Sequence, residues 1–199
     1  MADDRIVLHW IPVGAGGNGA VTLNARLYER VHAWHDRRPA RTLLHTALEI
    51  YVDGTHTVVE CAWPSPNSDT QSRGVVGEGP VFARWLGRFR PFRYEIRFWK
   101  DGLISDRAYA TDVTELVADR EIVMQARDWV SRVPLSTWGR DDLDVGDMWN
   151  SNSVVAYVLA GAGFDVIELA STVAGRAPGL LAGVVAAGRT MDRGRPIRD

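Results

Sequence analysis

Alternating apolar and polar positions in the first half of the chain predict β-strands. Four segments show this pattern: Arg5–Val13, Thr42–Val52, Thr55–Ala62 and Phe92–Trp99. Asp53-Gly54 joins the second segment to the third. This dipeptide favours a two-residue type I′ hairpin, because both central residues of that turn need positive φ. The pattern therefore predicts an antiparallel sheet.

Apolar residues at helical spacing predict helices in three places. Asn24 is a candidate N-cap for the first, which carries Leu27, Val31 and Trp34 on one side. The other two helices are predicted at Asp112–Val130, the longest such pattern, and at Asn150–Ala160.

Loop-like composition separates these elements at Pro64–Gly79 and Pro134–Trp149. No internal repeat or linker divides the chain. We therefore expect one α+β domain over residues 1–199, with an antiparallel sheet packed against helices and a flexible tail from residue 190.

The composition is that of a globular protein and gives no indication of a nucleic-acid-binding or membrane-spanning protein. The chain has 199 residues, 46% hydrophobic and 24% charged, with a formal net charge of −2, so its total charge gives no reason to expect nucleic acid. Charged residues interrupt the most apolar region, which predicts no membrane span. Cys61 is the single cysteine, and the N-terminus lacks a signal-peptide pattern, so we expect a cytoplasmic protein.

A histidine and a glutamate are predicted to share one face of the hairpin. With Asp53-Gly54 as a two-residue turn, Val52 opposes Thr55, and continuing the ladder places Ala47 opposite Glu60. His45 is then one diagonal step from Glu60, at about 5–7 Å between Cβ atoms. A carboxylate at that distance can orient a histidine base, although a solvated sheet face would carry the same residue types.

The sequence Asn150-Ser151-Asn152-Ser153 stands at the start of the short apolar helix. A nucleophile in a first helical turn lies beside unpaired N–H groups and the positive end of the helix dipole. Those N–H groups can form an oxyanion hole, with Asn150 and Asn152 shaping the site. The same asparagine and serine residues are also preferred N-caps, which is the structural alternative.

Together the two segments resemble the circularly permuted papain-like superfamily, which includes lecithin–retinol acyltransferase-type enzymes and desumoylating or deubiquitinating isopeptidases. In that group a histidine opens a strand, as in His45-Thr-Ala-Leu-Glu-Ile-Tyr-Val-Asp-Gly here. The next strand supplies a polar third member, where this chain has Glu60. The nucleophilic cysteine begins a late helix, and this chain has Ser151 at that position.

The resemblance implies a hydrolase or acyltransferase that acts on an amide, ester or thioester through Ser151, His45 and Glu60. The eight tryptophans and the arginines between residues 84 and 97 favour an extended cleft that could hold a peptide or an acyl-bearing small molecule, with a protein partner as a further possibility. A serine ionises far less readily than a cysteine. The alternative is therefore a catalytically silent binding or scaffold domain of the same fold.

Other patterns give no cofactor or metal assignment. The glycine run Gly14–Gly19 lacks the rest of a dinucleotide-binding unit. His32 and His35 have no third ligand placed by spacing, and the acidic residues between Asp141 and Asp147 lack calcium-loop spacing. A further set, interpreted as a solvated strand face, comprises Arg84, Arg88, Arg90, Arg93 and Arg97.

Overall fold

The computed structural model describes residues 4–17, 19–64 and 74–194. Within them, six antiparallel strands form one sheet in the order β4-β5-β3-β2-β1-β6. The strands are β1 (Arg5–Pro12), β2 (Leu44–Val52), β3 (Thr55–Ala62), β4 (Val75–Pro80), β5 (Arg93–Lys100) and β6 (Asp112–Val117). The helices are α1 (Gly19–His35), α2 (Arg120–Val130), α3 (Ser151–Gly161), α4 (Val166–Ser171) and α5 (Leu180–Gly194). The α+β class is as predicted.

The predicted hairpin register is confirmed. Val52 pairs with Thr55, and the ladder continues to Leu48 opposite Val59. Asp53 and Gly54 have φ values of 52° and 69°, as a type I′ turn requires. His45 and Glu60 consequently belong to the same face of the sheet.

Two elements differ from the sequence prediction. Residues 112–117 form strand β6 on the free edge of β1, and the helix that follows is only Arg120–Val130. The predicted loop Pro64–Gly79 overlaps strand β4, which begins at Val75 and pairs with β5 through an irregularity between Val75 and Gly77. Residues 65–73 of that loop lie outside the described residues. In both places strand pairing, which is not local in sequence, determined the conformation.

Helix boundaries also differ at both ends of the chain. Helix α1 begins at Gly19, so Asn24 lies inside the helix and is not its cap. Asn18, within the glycine run, lies outside the described residues. Helix α5 continues through residues 190–194 of the predicted tail, and residues 195–199 lie outside the described range.

The sheet has two covered faces. On the helix face, strand residues such as Leu8, Leu48 and Val59 join the main core with α2, α3 and α5. On the other face, residues 101–111, which we call the strap, lead from the end of β5 to the start of β6. A small second core, formed by Ile11, Ala47, Val58 and Ile104, lies on this strap face. None of the helices described in residues 4–17, 19–64 and 74–194 is long and apolar enough to cross a membrane.

Candidate functional site

The His45 imidazole contacts a carboxylate of the strap. Nε2 of His45 lies 2.8 Å from Oδ2 of Asp106, and each side chain is 25% exposed. Burial raises the pKa of Asp106, but the hydrogen bond and the electrostatic interaction with His45 outweigh it, so the pKa is lowered. Asp106 therefore stays ionised, and its contact through Nε2 leaves Nδ1 of His45 as the second ring nitrogen.

Glu60 shares the face of His45 but has a different partner. Its Oε1 accepts a hydrogen bond of 2.9 Å from Nη1 of Arg97, whose Nε donates to the buried Glu95. Burial raises the pKa of Glu60 more than Arg97 lowers it, and the negative charge of Asp106 raises it further. Among the described residues, the hydrogen-bond partner of the His45 ring is thus Asp106, not Glu60 as expected from the sequence.

Asn150 is the N-cap of α3. Its Oδ1 accepts hydrogen bonds from the backbone N–H groups of Asn152 and Ser153, at 2.9 and 3.4 Å. The Ser153 hydroxyl accepts one from the backbone N–H of Asn150, which completes a capping box. Asn150 Nδ2 donates to the carbonyl of Pro178. The side chain of Asn150 therefore fixes the start of α3, and its Nδ2 already donates to Pro178.

Asn152 ties the start of α3 to the start of β2. Its Nδ2 donates to the carbonyl of Leu44 at 3.0 Å, and its Oδ1 accepts from the Thr46 hydroxyl at 2.9 Å. Nδ2 also lies 2.8 Å from the Pro178 carbonyl, and the residue is 2% exposed. The side chains of Leu44 and Thr46 lie on the helix face and that of His45 on the strap face, so Asn152 holds the start of α3 on the side of β2 opposite to the imidazole. Among the described residues no hydrogen bond joins Ser151 to His45.

Ser151 occupies the first position of α3 and is buried. Among the described residues its hydroxyl has no hydrogen-bond partner, in contrast to that of Ser153, which donates to the carbonyl of Gly179. The backbone N–H groups of Asn152 and Ser153 are taken by the Asn150 cap. The oxyanion hole expected from the helix start therefore reduces to the N–H of Ser151 and donors from other segments.

The sheet is open between β2 and β3 at the level of His45. The ladder of these strands ends at Leu48 and Val59, although β2 pairs with β1 as far as Leu44. β3 continues to pair with β5 as far as Ala62. Residues 44–47 and 60–62 are thus not paired with each other. We call this gap in the sheet the seam, and it lies between His45 and Glu60.

A second charged cluster lies further along the strap face. Arg107, the residue after Asp106, donates to Oε1 of Glu49 at 2.9 Å, and the Tyr51 hydroxyl donates to Oε2 at 3.1 Å. Nε2 of His9 lies 3.3 Å from the same carboxylate without hydrogen-bond alignment. Burial lowers the pKa of His9, and Glu49 only partly offsets this. The strap is therefore held to the sheet by two adjacent charged residues.

Asp106 and Arg107 are not among the residues predicted from the sequence, because neither belongs to a periodic element. Had β6 been recognised as a strand beside β1, the connection from β5 would have had to cross one face of the sheet. Its charged residues would then have been candidates to meet the polar side chains of that face.

The other patterns have structural roles. Asp141 and Asp142 accept backbone N–H groups of their own loop, and Asp147 accepts those of Gly179 and Leu181 at the start of α5. Burial raises the pKa of Cys61, which packs against the main core as expected. Among the described residues no cluster of three His, Cys, Asp or Glu side chains has the arrangement of a metal site.

The arginine row expected on one strand face is divided. Only Arg93 and Arg97 belong to β5, and Arg97 is buried. Arg84, Arg88 and Arg90 lie on two 3₁₀ turns before that strand.

Comparison with known proteins gives no further identification. No protein-family model, curated protein or solved structure matches this chain.

Proposed function

We propose that this protein hydrolyses or transfers an acyl group through Ser151 and His45, in a permuted papain-like arrangement. The geometry replaces one member of the triad expected from the sequence. Asp106, which contacts the imidazole, takes the orienting role, and Glu60 is a nearby carboxyl held by Arg97.

The proposed steps follow from which ring nitrogen is occupied. With Nε2–H donating to Asp106, Nδ1 of His45 is the proton acceptor. Ser151 Oγ attacks the carbonyl carbon as its proton passes to Nδ1. The tetrahedral oxyanion then collapses, and the leaving amine, alcohol or thiol takes that proton. Water or an acceptor nucleophile releases the acyl group from Ser151 by the same proton transfers.

The unpaired seam between β2 and β3 is the observation that carries this proposal, because no β2–β3 ladder closes the sheet at the level of His45. Asn152 holds the start of α3 on the helix face, whereas His45 belongs to the strap face, so Ser151 and His45 must meet through this seam. The Ser151 hydroxyl, which has no hydrogen-bond partner among the described residues, is also consistent with a group that meets its partner in a substrate complex.

A fluorophosphonate probe tests the proposal directly. The probe phosphorus is attacked by an activated serine hydroxyl, and fluoride leaves. We expect labelling at Ser151, identified by peptide mass spectrometry, and its loss in Ser151→Ala and His45→Ala. The Ser153→Ala variant distinguishes Ser151 from its neighbour.

Absence of labelling in a folded protein, by this probe and by activated esters, would contradict the proposal. It would favour the alternative, a silent binding domain in which Ser151 replaces a catalytic thiol. The Ser151→Cys variant provides a second readout: beside a histidine, the new thiol should have a pKa below about 8.5 and react with iodoacetamide at neutral pH. Cys61 serves as the internal control, since burial raises the pKa of its thiol.

A further inference from the structure

Helix α1 presents its apolar residues to the outside. Leu23, Leu27, Val31 and Trp34 recur at spacings that place them on one side of the helix, and Trp34 is 82% exposed. The other three are each more than half exposed. This is the reverse of the usual arrangement, in which the apolar side of a helix packs on the core. We call these four residues the α1 stripe.

The orientation of α1 is fixed by contacts on its inner side. Glu29 is buried there, and its carboxylate accepts hydrogen bonds from Arg38, Arg176 and the backbone N–H of Arg41. Burial raises the pKa of Glu29, but these donors outweigh it and the pKa is lowered. Turning the stripe inward would expose this network and break it, so the stripe is a stable feature of the surface.

A second exposed surface has the same chemistry. Residues 82–92, which include two 3₁₀ turns before β5, carry exposed aromatic rings and exposed arginines close together in sequence. The rings are those of Phe82, Trp85, Phe89 and Phe92, and the arginines are Arg84, Arg88 and Arg90. Residues 81–94 contain no acidic side chain. We call these seven residues the aromatic turns.

Both surfaces lie at the end of the sheet where the candidate site lies. Helix α1 belongs to the connection between β1 and β2. The last residue of β1, Pro12, pairs with the first residue of β2, Leu44. Ala62 and Pro80, the last residues of β3 and β4, reach the same end, because both pair with residues at the start of β5. The Asp53-Gly54 turn and Val117 are at the opposite end.

The charges around the stripe limit what can cover it. Arg26 and Arg30 flank it on the surface, whereas the single acidic residue of α1, Glu29, is buried, and Asp36 just after the helix is paired with His35 and Arg38. A second copy of α1 in antiparallel contact would bring the two arginine flanks together, where like charges repel. A partner helix laid on α1 would leave the aromatic turns uncovered. An occupant that covers both surfaces is therefore negatively charged and accepts apolar side chains.

We propose that this end of the molecule docks on an anionic phospholipid bilayer. The α1 stripe and the rings of the aromatic turns would enter the interfacial region, and the arginines would contact lipid phosphates. A cavity of about 580 Å³ lined by Trp34, Arg37 and Arg38 adjoins the end of the stripe and offers space for a head group. This docking does not depend on the catalytic assignment of Ser151.

Vesicle sedimentation of the full chain tests the proposal. We use phosphatidylcholine vesicles with and without phosphatidylserine at about a third of the lipid. We expect binding that requires phosphatidylserine and weakens with salt. The double variant Leu27→Glu/Val31→Glu and the double variant Trp85→Ala/Phe89→Ala should each reduce partitioning at least about tenfold. Val117→Glu is the matched control, since Val117 is 80% exposed at the opposite end.

Each of three results would overturn the proposal. The first is no sedimentation with either vesicle. The second is binding that the two double variants leave unchanged. The third is a stable dimer in light scattering that Leu27→Glu/Val31→Glu dissociates, which would make a second copy the occupant. All substituted residues are exposed, so circular dichroism should show that every variant folds.

Discussion

Nε2 of His45 lies 2.8 Å from Oδ2 of Asp106, a residue 61 positions later in the chain. The strap brings Asp106 to the start of β2, across the face that also carries Glu60. The orienting carboxylate of the proposed site therefore comes from an irregular segment and not from the neighbouring strand.

This contact predicts unequal effects for the two carboxylates. Asp106→Asn should lower the rate of fluorophosphonate labelling about 10²–10⁴-fold, because the amide no longer favours the Nδ1-basic form of His45. Glu60→Gln should lower it less than about tenfold, since Glu60 contacts Arg97. If Glu60→Gln lowered the labelling rate as much as Asp106→Asn, or more, Asp106 would not be the carboxylate that orients His45. Melting temperatures of both variants control for general destabilisation.

Asn152 is expected to contribute more to stability than any exposed asparagine. Asn152→Ala removes donors from the Leu44 and Pro178 carbonyls and the acceptor of the Thr46 hydroxyl, all at a buried position. We expect a loss of about 2–4 kcal/mol in the free energy of unfolding. Asn24→Ala, on the exposed side of α1, should change it by less than about 0.5 kcal/mol. Urea denaturation measures both, and a loss below about 1 kcal/mol for Asn152→Ala would contradict the bridging role.

His9 predicts a loss of stability in mild acid. Burial holds the pKa of His9 below 6.5 in the folded protein, so the unfolded chain binds the proton more readily. The free energy of unfolding is therefore unaffected by His9 at a pH well above 6.5, the pKa of histidine in the unfolded chain. Below pH 6.5 it falls by up to about 1.4 kcal/mol per pH unit.

The measurement compares unfolding free energies at pH 7.5 and 5.5 for the parent protein and for His9→Phe. The variant should show a smaller difference between the two pH values, whatever its absolute stability. His35→Gln, which changes a side chain that is 82% exposed, should retain the parent difference. A steeper dependence in His9→Phe would show that the folded protein binds this proton more readily.

Two glycines of α5 should respond oppositely to the same substitution. A Cβ at Gly183 would lie 2.2 Å from the backbone oxygen of Ser153 and 2.7 Å from Cβ of Ala156, where α5 contacts α3. Gly183→Ala should therefore destabilise by about 1–3 kcal/mol despite the better helix propensity of alanine. At Gly188 a Cβ meets nothing within 4 Å, so Gly188→Ala should stabilise by about 0.5–1 kcal/mol. Thermal unfolding of the pair tests the close approach of the two helices, and stabilisation by both substitutions would exclude it.

The parts of the fold predicted correctly are those fixed by local chemistry. Asp53-Gly54 set the turn, and the turn set the register that places His45 and Glu60 on one face. The start of α3 was also recognisable, because Asn150 and Ser153 form a capping box over four residues.

The parts that failed depend on distant pairing. Val113, Leu116 and Val117 fit a helix as well as a strand, and the free edge of β1 decides between them. Gly77 and Gly79 are typical of loops, so the sequence does not indicate β4, which is stabilised by its pairing with β5. Asp106 could not be assigned to His45 without knowing that the strap crosses the sheet. The outward turn of the α1 stripe is equally invisible, since it depends on Arg176 reaching Glu29.

The strap has a further consequence for how this chain can vary. Asp106 contacts His45, and the next residue, Arg107, contacts Glu49. The acidic residue of the strap thus meets the basic side chain of β2, and the basic residue of the strap meets the acidic one. Most surface loops accept a gained or lost residue. Here the deletion of one residue before Asp106 would move Arg107 towards His45 and break both contacts. The length of the strap is therefore constrained by the site.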